Sequence, residues 1–140
     1  MKKLGSLLFT ATLCTALLNH SQAQTNDEDA AVRACLELYM TGDGNQMEKA
    51  FHPSATMKYV DYKTGEFKDV PIAEFLTRVK ANTTKPQRKI EIISLNIDGT
   101  AAQAKITIES GNVLMTDYMN LLKIDGQWKI VSKIFSRKDK

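Results

Sequence analysis

The stretch Asp117–Phe135, "DYMNLLKIDGQWKIVSKIF", decides the fold, because two alternating runs flank a single Asp-Gly. Asp-Gly between alternating runs is a strong signal for a β-hairpin with a two-residue turn. Such a turn puts Ile124 opposite Gln127, and opposed residues share one face of the sheet. Asp117 then lies on the apolar face of the hairpin. That predicted face comprises Met115, Asp117, Met119, Leu121, Trp128, Ile130, Ser132 and Ile134.

Two further hairpins are predicted upstream, with turns at Asp98-Gly99 and Ser110-Gly111. Two-residue turns would put Ile97 opposite Thr100 and Glu109 opposite Asn112. The three turns place one apolar set on the same side, and a one-residue slip would scramble it. Small Ala104 falls opposite Asp117 and leaves room in front of the carboxylate. The set from these strands is Glu91, Ile93, Leu95, Ile97, Ala102, Ala104, Ile106 and Ile108.

The first half of the chain reads as helix, helix, strand, strand, helix. Apolar residues recur at helical spacing from 31 to 39, and a short helix follows over 45–51. Alternation predicts strands over 56–62 and 66–70, and Pro71 opens a third helix at the position that proline favours. Together with the hairpins, this order predicts an α+β domain. We expect a cone-shaped, curved antiparallel β-sheet with three helices packed on its concave face.

The N-terminus resembles a secretory signal peptide. A basic start over 1–3 precedes an apolar run over 4–18, and small residues flank Gln22 at a cleavage site. The alternative is a membrane anchor, but this run is short of the roughly 20 residues that a span needs. We therefore predict cleavage near Ala23 and a periplasmic or secreted protein with no membrane attachment. The predicted divisions are the signal peptide 1–23, a flexible lead-in 24–28, the domain 29–136 and a basic tail 137–140.

Charge and residue counts exclude several classes of protein. The chain has 19 Lys and Arg against 16 Asp and Glu, a formal charge of +3. Cleavage removes Lys2 and Lys3, which leaves 17 against 16 and a charge of +1, so no nucleic-acid partner is predicted. It also leaves Cys35 as the single cysteine and His52 as the single histidine. An internal disulfide is then impossible and a zinc site nearly excluded, and we predict no metal and no cofactor.

Asp117 is the candidate catalytic residue. A carboxylate on an apolar face must find a partner, take up a proton or line a hydrated pocket, because burying it unpaired is costly. Carboxyl groups in such settings often serve as general acids or bases. The alternative is a structural role, in which Asp117 accepts hydrogen bonds from a Tyr, from Ser132 or from a helix.

The stretches "YMTGDGNQMEKAFHPSATM" (Tyr39–Met57) and "DYMNLLKIDGQWKIVSKIF" resemble the nuclear transport factor two-like, or SnoaL-like, cone-fold superfamily. The resemblance is greatest to its "putative lumazine-binding" branch and covers residues 27–135. It implies a small heteroaromatic ligand. Enzymes of this superfamily place an acid–base group in the cone. By that resemblance Asp117 would be the deep acid, Tyr39 or Tyr59 the phenol that stabilises charge, and His52 the candidate of the dehydratase type.

Three functions remain open at this stage. The first is an exported protein that binds a small, partly apolar molecule; the second is a metal-free lyase or isomerase that uses Asp117. The third is a homodimeric interaction module that uses the convex sheet face. The candidate ligand-binding residues are Tyr39, His52, Tyr59, Asp61, Ala104, Met115, Met119 and Ser132. The candidate dimer face holds Tyr118, Asn120, Leu122, Ile124, Val131 and Phe135.

Overall fold

The computed structural model describes the backbone of residues 12–84 and 87–140, and side chains from residue 26 onward. These residues form three helices and six strands, as predicted for an α+β domain. The helices are α1 (Thr12–Met40), α2 (Gly44–Ala50) and α3 (Ile72–Ala81). The strands are β1 (Phe51–Val60), β2 (Phe67–Pro71), β3 (Lys89–Asp98), β4 (Ala101–Ser110), β5 (Val113–Ile124) and β6 (Gln127–Asp139).

The strands form one sheet in the order β2-β1-β6-β5-β4-β3. Four of the five pairings are antiparallel, as predicted, and the pairing of β1 with β6 is parallel, so the sheet is mixed. The chain passes through β2, α3 and the meander β3 to β6 before it returns to β1. The first and last long strands of the domain therefore lie side by side.

Helix α1 is longer than predicted, because its backbone is helical through residues 24–28, the predicted lead-in. Within the described residues, no helix has both the length and the hydropathy needed to cross a membrane. Residues 1–11 of the predicted signal peptide lie outside the described residues, so its cleavage stays a prediction.

The core lies between the helices and the inner face of the sheet, defined here as the face that carries Ile106, Met119 and Ile130. These side chains are fully buried, as are Val32 and Leu36 of α1. Complete burial of an aliphatic side chain contributes about 1.5–3 kcal/mol. The inner face predicted from the sequence is therefore the face that the helices cover.

The turn between β5 and β6 has the predicted geometry. Asp125 and Gly126 have φ of 48° and 78°, as a type I′ hairpin turn requires, and Ile124 lies opposite Gln127. Trp128 follows and is 6% exposed. Its Nε1 donates a hydrogen bond to Glu28 Oε2 of α1 at 2.8 Å. The hairpin is thus fixed to α1 by the ring of Trp128 and by its N–H group.

The register of β6 changes at Val131, where the prediction fails. Leu121 lies opposite Ile130 but Asn120 lies opposite Ser132, so Val131 is an extra residue, a β-bulge. Every later side chain of β6 is turned to the other face. Lys133 therefore points inward, whereas Ser132 and Ile134, which were expected on the inner face, point outward.

A second bulge occurs in β3. Ile92 lies opposite Ile106 and Ser94 opposite Lys105, so Ile93 is the extra residue. Its side chain is 51% exposed, contrary to the prediction that it lies on the inner face. The residues of β3 that pack against the core are Ile90, Ile92, Leu95 and Ile97.

The two middle hairpins turn one residue later than predicted. Their central residues begin at Gly99 and Gly111, which have φ of 56° and 55°. Asp117 consequently lies opposite Ile106, and Ala104 lies opposite Met119. Ala104 is fully buried in the core and does not lie opposite Asp117, contrary to the prediction.

Candidate functional site

Three polar side chains from distant parts of the chain meet beneath the helices: Tyr39, Asp117 and Lys133, called here the buried triad. Tyr39 donates from its hydroxyl to Asp117 Oδ2 at 2.5 Å. Lys133 Nζ donates to the Tyr39 hydroxyl at 2.8 Å and lies 2.9 Å from Asp117 Oδ2. The three residues are 5%, 0% and 5% exposed. Each polar group of this triad therefore contacts both of the others almost without water.

Local sequence explains how each member reaches the triad. Tyr39 lies on the inner stripe of α1, one turn beyond Cys35, and its ring packs edge-on against Phe51 with the ring centroids 5.8 Å apart. Asp117 keeps the alternation of β5 and points inward between Met115 and Met119. Lys133 points inward because the bulge at Val131 changes the phase of β6. A helix, a regular strand and a bulged strand thus supply one residue each.

Lys133 is surrounded by aromatic rings. Its Nζ lies 5.1 Å from the ring centroid of Tyr39, 5.5 Å from that of Phe75 and 5.0 Å from that of Phe135. These distances suit cation–π attraction. Burial lowers the pKa of Lys133, an effect that the attraction of Asp117 opposes and the charge of Arg88 reinforces. The amine is therefore easier to deprotonate than that of an exposed lysine.

Tyr39 is held as a neutral phenol. Its burial raises the pKa well above the usual value for tyrosine, and the negative charge of Asp117 raises it further. A neutral hydroxyl can donate to Asp117 and accept from Lys133 at the same time. Tyr39 therefore connects the carboxylate and the amine through one oxygen atom.

Asp117 has unused capacity to accept a hydrogen bond. Its Oδ1 is the one buried side-chain N or O atom, among the described residues, that has no hydrogen-bond partner. An unpaired buried acceptor costs about 1–3 kcal/mol. The carboxylate thus has one oxygen shared by Tyr39 and Lys133 and a second oxygen with no donor.

A cavity of about 420 Å³ lies beside the triad. Tyr39 and Lys133 form part of its wall, and Phe75 and Phe135 form an aromatic part next to Lys133. The charged groups on its lining are four cations against the single carboxylate of Asp61. The lining is Tyr39, Met47, Met57, Tyr59, Val60, Asp61, Tyr62, Phe75, Arg78, Val79, Asn82, Arg88, Ile90, Ile108, Met115, Lys133, Phe135 and Arg137.

The remaining aromatic residues of the lining are arranged by contacts among themselves. The rings of Tyr59 and Phe135 lie 4.6 Å apart between centroids and are tilted by 32°. The guanidinium of Arg137 lies 4.7 Å from the ring centroid of Tyr62. Asp61 accepts backbone hydrogen bonds from Lys63 and Thr64, which lower the pKa of its carboxyl group. Asp61 is thus held in the β1–β2 turn as a stable anion.

The cavity brings together some of the residues predicted from the sequence. Tyr39, Tyr59, Asp61 and Met115 line it. Met119 and Ala104 are buried in the core and do not line it. Asp117 does not line it either, and reaches it through Tyr39 and Lys133.

Two predicted residues lie elsewhere. Ser132 is on the outer face, where its hydroxyl accepts a hydrogen bond from Asn120 Nδ2 at 2.9 Å. The bulge at Val131 is the reason that it does not point inward. His52 lies at the start of β1, and its Nδ1 is 2.7 Å from the hydroxyl of Ser54. It does not line the cavity.

Lys133 is the residue that sequence reasoning missed. In β6 the apolar inner positions are Trp128 and Ile130, but the next large aromatic is Phe135, at odd instead of even numbering. Phe135 and the adjacent pair Ile130-Val131 suggest a bulge, but Ile134 continues the even positions, so the sequence does not require one. A bulge there would have placed Lys133 beside Asp117.

No cluster of three or more His, Cys, Asp or Glu side chains suited to a metal ion occurs among the described residues. Cys35 is a buried free thiol whose Sγ donates to the Ala50 carbonyl at 3.5 Å. Burial raises its pKa to about 11, so the thiol stays protonated. Cys35 does not line the cavity, whereas Lys133 and Tyr39 of the buried triad do.

Comparison with solved structures supports the fold. A protein of unknown function from Shewanella baltica OS155, described as NTF2-like, is 30% identical with a TM-score of 0.74, over 81% of this chain and 96% of that one. A second, from Methylobacillus flagellatus KT, is 30% identical with a TM-score of 0.71, over 80% and 93% of the two chains. The curated relative "Aldolase FrzH" from Cladobotryum sp is 26% identical over 123 residues, covering 85% of this chain and 96% of that protein.

The family model described as "Putative lumazine-binding" matches residues 27–136, most of the chain. The match begins in α1 and ends in β6, so it includes all three residues of the buried triad. This chain therefore belongs to the "Putative lumazine-binding" family of the nuclear transport factor two-like superfamily.

Proposed function

We propose that this protein binds a small, partly apolar molecule in the 420 Å³ cavity, with an anionic or electron-rich oxygen of the ligand next to Lys133. The observation that carries this proposal is a lysine that is almost fully buried yet forms part of the cavity wall. Its charge is paired with the carboxylate of Asp117, and the residue lines the cavity.

The lining favours a planar ligand with a negative or strongly accepting group. Arg78, Arg88, Arg137 and Lys133 oppose only Asp61, and Asp61 is already engaged in its turn. Tyr59, Phe75 and Phe135 offer ring faces and edges for an aromatic body. A small heteroaromatic compound that carries carbonyl oxygens, of the kind named by the family description, has both properties.

Lumazine is a suitable first probe, because it is planar, carries two carbonyl oxygens and is fluorescent. Its binding would be followed by fluorescence titration against the wild type and two matched variants of α3. Val79→Phe places a ring in the cavity, whereas Thr77→Phe places the same ring on the exposed side of the same helix. We expect Val79→Phe to abolish binding and Thr77→Phe to leave it unchanged. Equal binding by both variants would place the site elsewhere.

A second candidate function is that of a metal-free enzyme that makes or breaks a carbon–carbon bond. It is favoured by an amine, a phenol and a carboxylate in mutual contact at the cavity, and by likeness to a relative called an aldolase. A fluorogenic β-hydroxyketone that releases an aryl aldehyde on cleavage would test it. Release of aldehyde above the rate of the Lys133→Arg variant is the expected result, and equal rates would reject this function.

We also propose that the protein is exported after cleavage near Ala23 and that it forms a homodimer through the outer face of the sheet. Tyr118, Leu122 and Ile134 are exposed large apolar residues on that face. Phe135, predicted for the same face, lines the cavity, so Ile134 replaces it in the proposed dimer contact.

A further inference from the structure

We propose that Lys133 is a nucleophile that forms a Schiff base with an aldehyde or ketone ligand in the cavity. The proposal rests on the proposed function, since it needs a ligand in the same cavity, and it names the substrate class: a carbonyl compound with an apolar body and an anionic group.

The position of Lys133 suits this role. Its stem is buried in the inner face of β6, Nζ lies between three aromatic rings, and the residue lines the cavity. A Schiff-base lysine must be fixed, partly dehydrated and open to its ligand on one side. Lys129, on the same strand, is partly exposed, donates from Nζ to the Lys49 carbonyl and does not line the cavity. It therefore provides the matched control.

The neighbouring groups can manage the protons. Asp117 Oδ2, 2.9 Å from Nζ, can take a proton from the ammonium and leave a neutral amine. The amine adds to the carbonyl carbon and its proton passes to the oxygen, which gives a carbinolamine. The protonated hydroxyl then leaves as water, with its proton supplied through Tyr39 from Asp117. The balance is one ammonium and one carbonyl for one iminium and one water, with Asp117 again a carboxylate, and no electrons are gained or lost.

The charged groups around Lys133 affect its pKa and therefore the fraction of the amine that is neutral and able to react. Asp117 on β5 favours the ammonium, while Arg88 before β3 favours the amine. Tyr39 on α1 is neutral. Arg78 on α3, Arg137 on β6 and Asp61 after β1 also line the cavity. Burial adds to the effect of Arg88, and the pKa of Lys133 is lowered. At neutral pH a lysine with a lowered pKa is therefore neutral for a larger fraction of the time than an exposed lysine.

The cations of the lining favour a carbonyl compound that carries a carboxylate. Arg88 is the best candidate to bind this carboxylate. It lines the cavity, and its charge lowers the pKa of both Lys133 and Tyr39. The aromatic wall of Phe75 and Phe135 suits a phenyl group. Phenylpyruvate combines the carbonyl, the carboxylate and the ring, and is the probe for the test.

The test is reductive trapping. Wild type, Lys133→Arg and Lys129→Arg are incubated with phenylpyruvate and cyanoborohydride, and the adduct is located by intact mass and peptide mapping. Arginine keeps the positive charge next to Asp117 but cannot form a stable imine. We expect one major adduct on Lys133 in the wild type and in Lys129→Arg, and its loss in Lys133→Arg. Adducts spread over surface lysines, with equal yield in Lys133→Arg, would overturn the proposal.

Two further readouts separate this proposal from the proposed function. Trapping by the wild type is repeated from pH 6 to pH 10. A yield of adduct that rises and then levels off below the usual lysine pKa supports a lowered pKa for Lys133. A yield that keeps rising up to the usual lysine pKa counts against it. Lumazine binding is measured in parallel. If Val79→Phe abolishes lumazine binding but the wild type forms no adduct on Lys133, the Schiff base is rejected and the proposed ligand binding stands. An adduct on Lys133 that Val79→Phe does not reduce would contradict the cavity itself.

Discussion

The ion pair between Asp117 and Lys133 should show strong energetic coupling in a double-mutant cycle. At 2.9 Å and an effective dielectric constant of about 20, the attraction is about 6 kcal/mol. Desolvation of each ion costs several kcal/mol, so the net contribution of the pair is small. Removing one partner is different, because it leaves the other charge buried and alone, at a cost of about 3–5 kcal/mol.

The suitable substitutions are Asp117→Asn and Lys133→Met, alone and together. Asparagine keeps an acceptor for the hydroxyl of Tyr39, and methionine keeps the length of the lysine stem. Each single variant should lose about 3–5 kcal/mol of unfolding free energy, whereas the double variant should lose about 2 kcal/mol or less. In Asp117→Asn the loss of unfolding free energy cannot exceed about 5 kcal/mol at neutral pH. That is the approximate cost of deprotonating a lysine at pH 7, and Lys133 would release its proton before the cost of its buried charge exceeded it.

The measurement is urea unfolding at pH 7, followed by far-ultraviolet circular dichroism. A second readout is the pH dependence of Asp117→Asn. Without Asp117 the folded pKa of Lys133 falls further below the unfolded value, so the folded state binds fewer protons and stability should rise with pH up to the unfolded pKa of about 10.5. Additive single losses in the double variant would refute the reasoning, because additivity means that the two charges do not interact.

Other predictions concern the hairpin, the outer face and export. Trp128→Ala should cost about 3–5 kcal/mol in urea unfolding, since the buried ring is removed, and a loss below about 1 kcal/mol would contradict its packing against α1. Light scattering should report a dimer, and Leu122→Lys should give a monomer because it places a charge on the outer face; a monomeric wild type would reject that interface. Mass spectrometry of the exported protein should find Gln24 at the N-terminus, and an intact Met1 would exclude cleavage.

The inner face of the sheet was predictable wherever the strands were regular. Alternation in β4 and β5 placed Ile106, Met119 and Asp117 correctly, because a side-chain period of two depends only on the strand being extended. The position of the turns mattered less than expected. Each middle hairpin turns one residue later along the chain than predicted. This shifts the pairing between its two strands by two residues, so the shift itself moves no side chain to the other face.

Bulges limited the prediction, because one extra residue changes the face of every residue after it. Ile93 and Val131 each have an ordinary strand sequence, and nothing in either residue type requires a bulge. In β6 the consequence was large: the bulge removed Ser132 from the predicted site and brought Lys133 into it. The parallel pairing of β1 with β6 was also beyond the hairpin rules, which connect only neighbours along the chain.

The candidate site depends on the same bulge that sequence reasoning missed. In a regular β6, Lys133 would lie in solvent on the outer face, and Asp117 would face an apolar core with only Tyr39 as donor. The bulge changes both conditions, because it buries Lys133 beside Asp117 and makes Lys133 part of the cavity wall. A core that needed stability alone could have used apolar residues at both positions at little or no cost. The two buried charges, the unpaired Oδ1 of Asp117 and the adjoining cavity therefore support the proposed binding of a ligand more than a purely stabilising role.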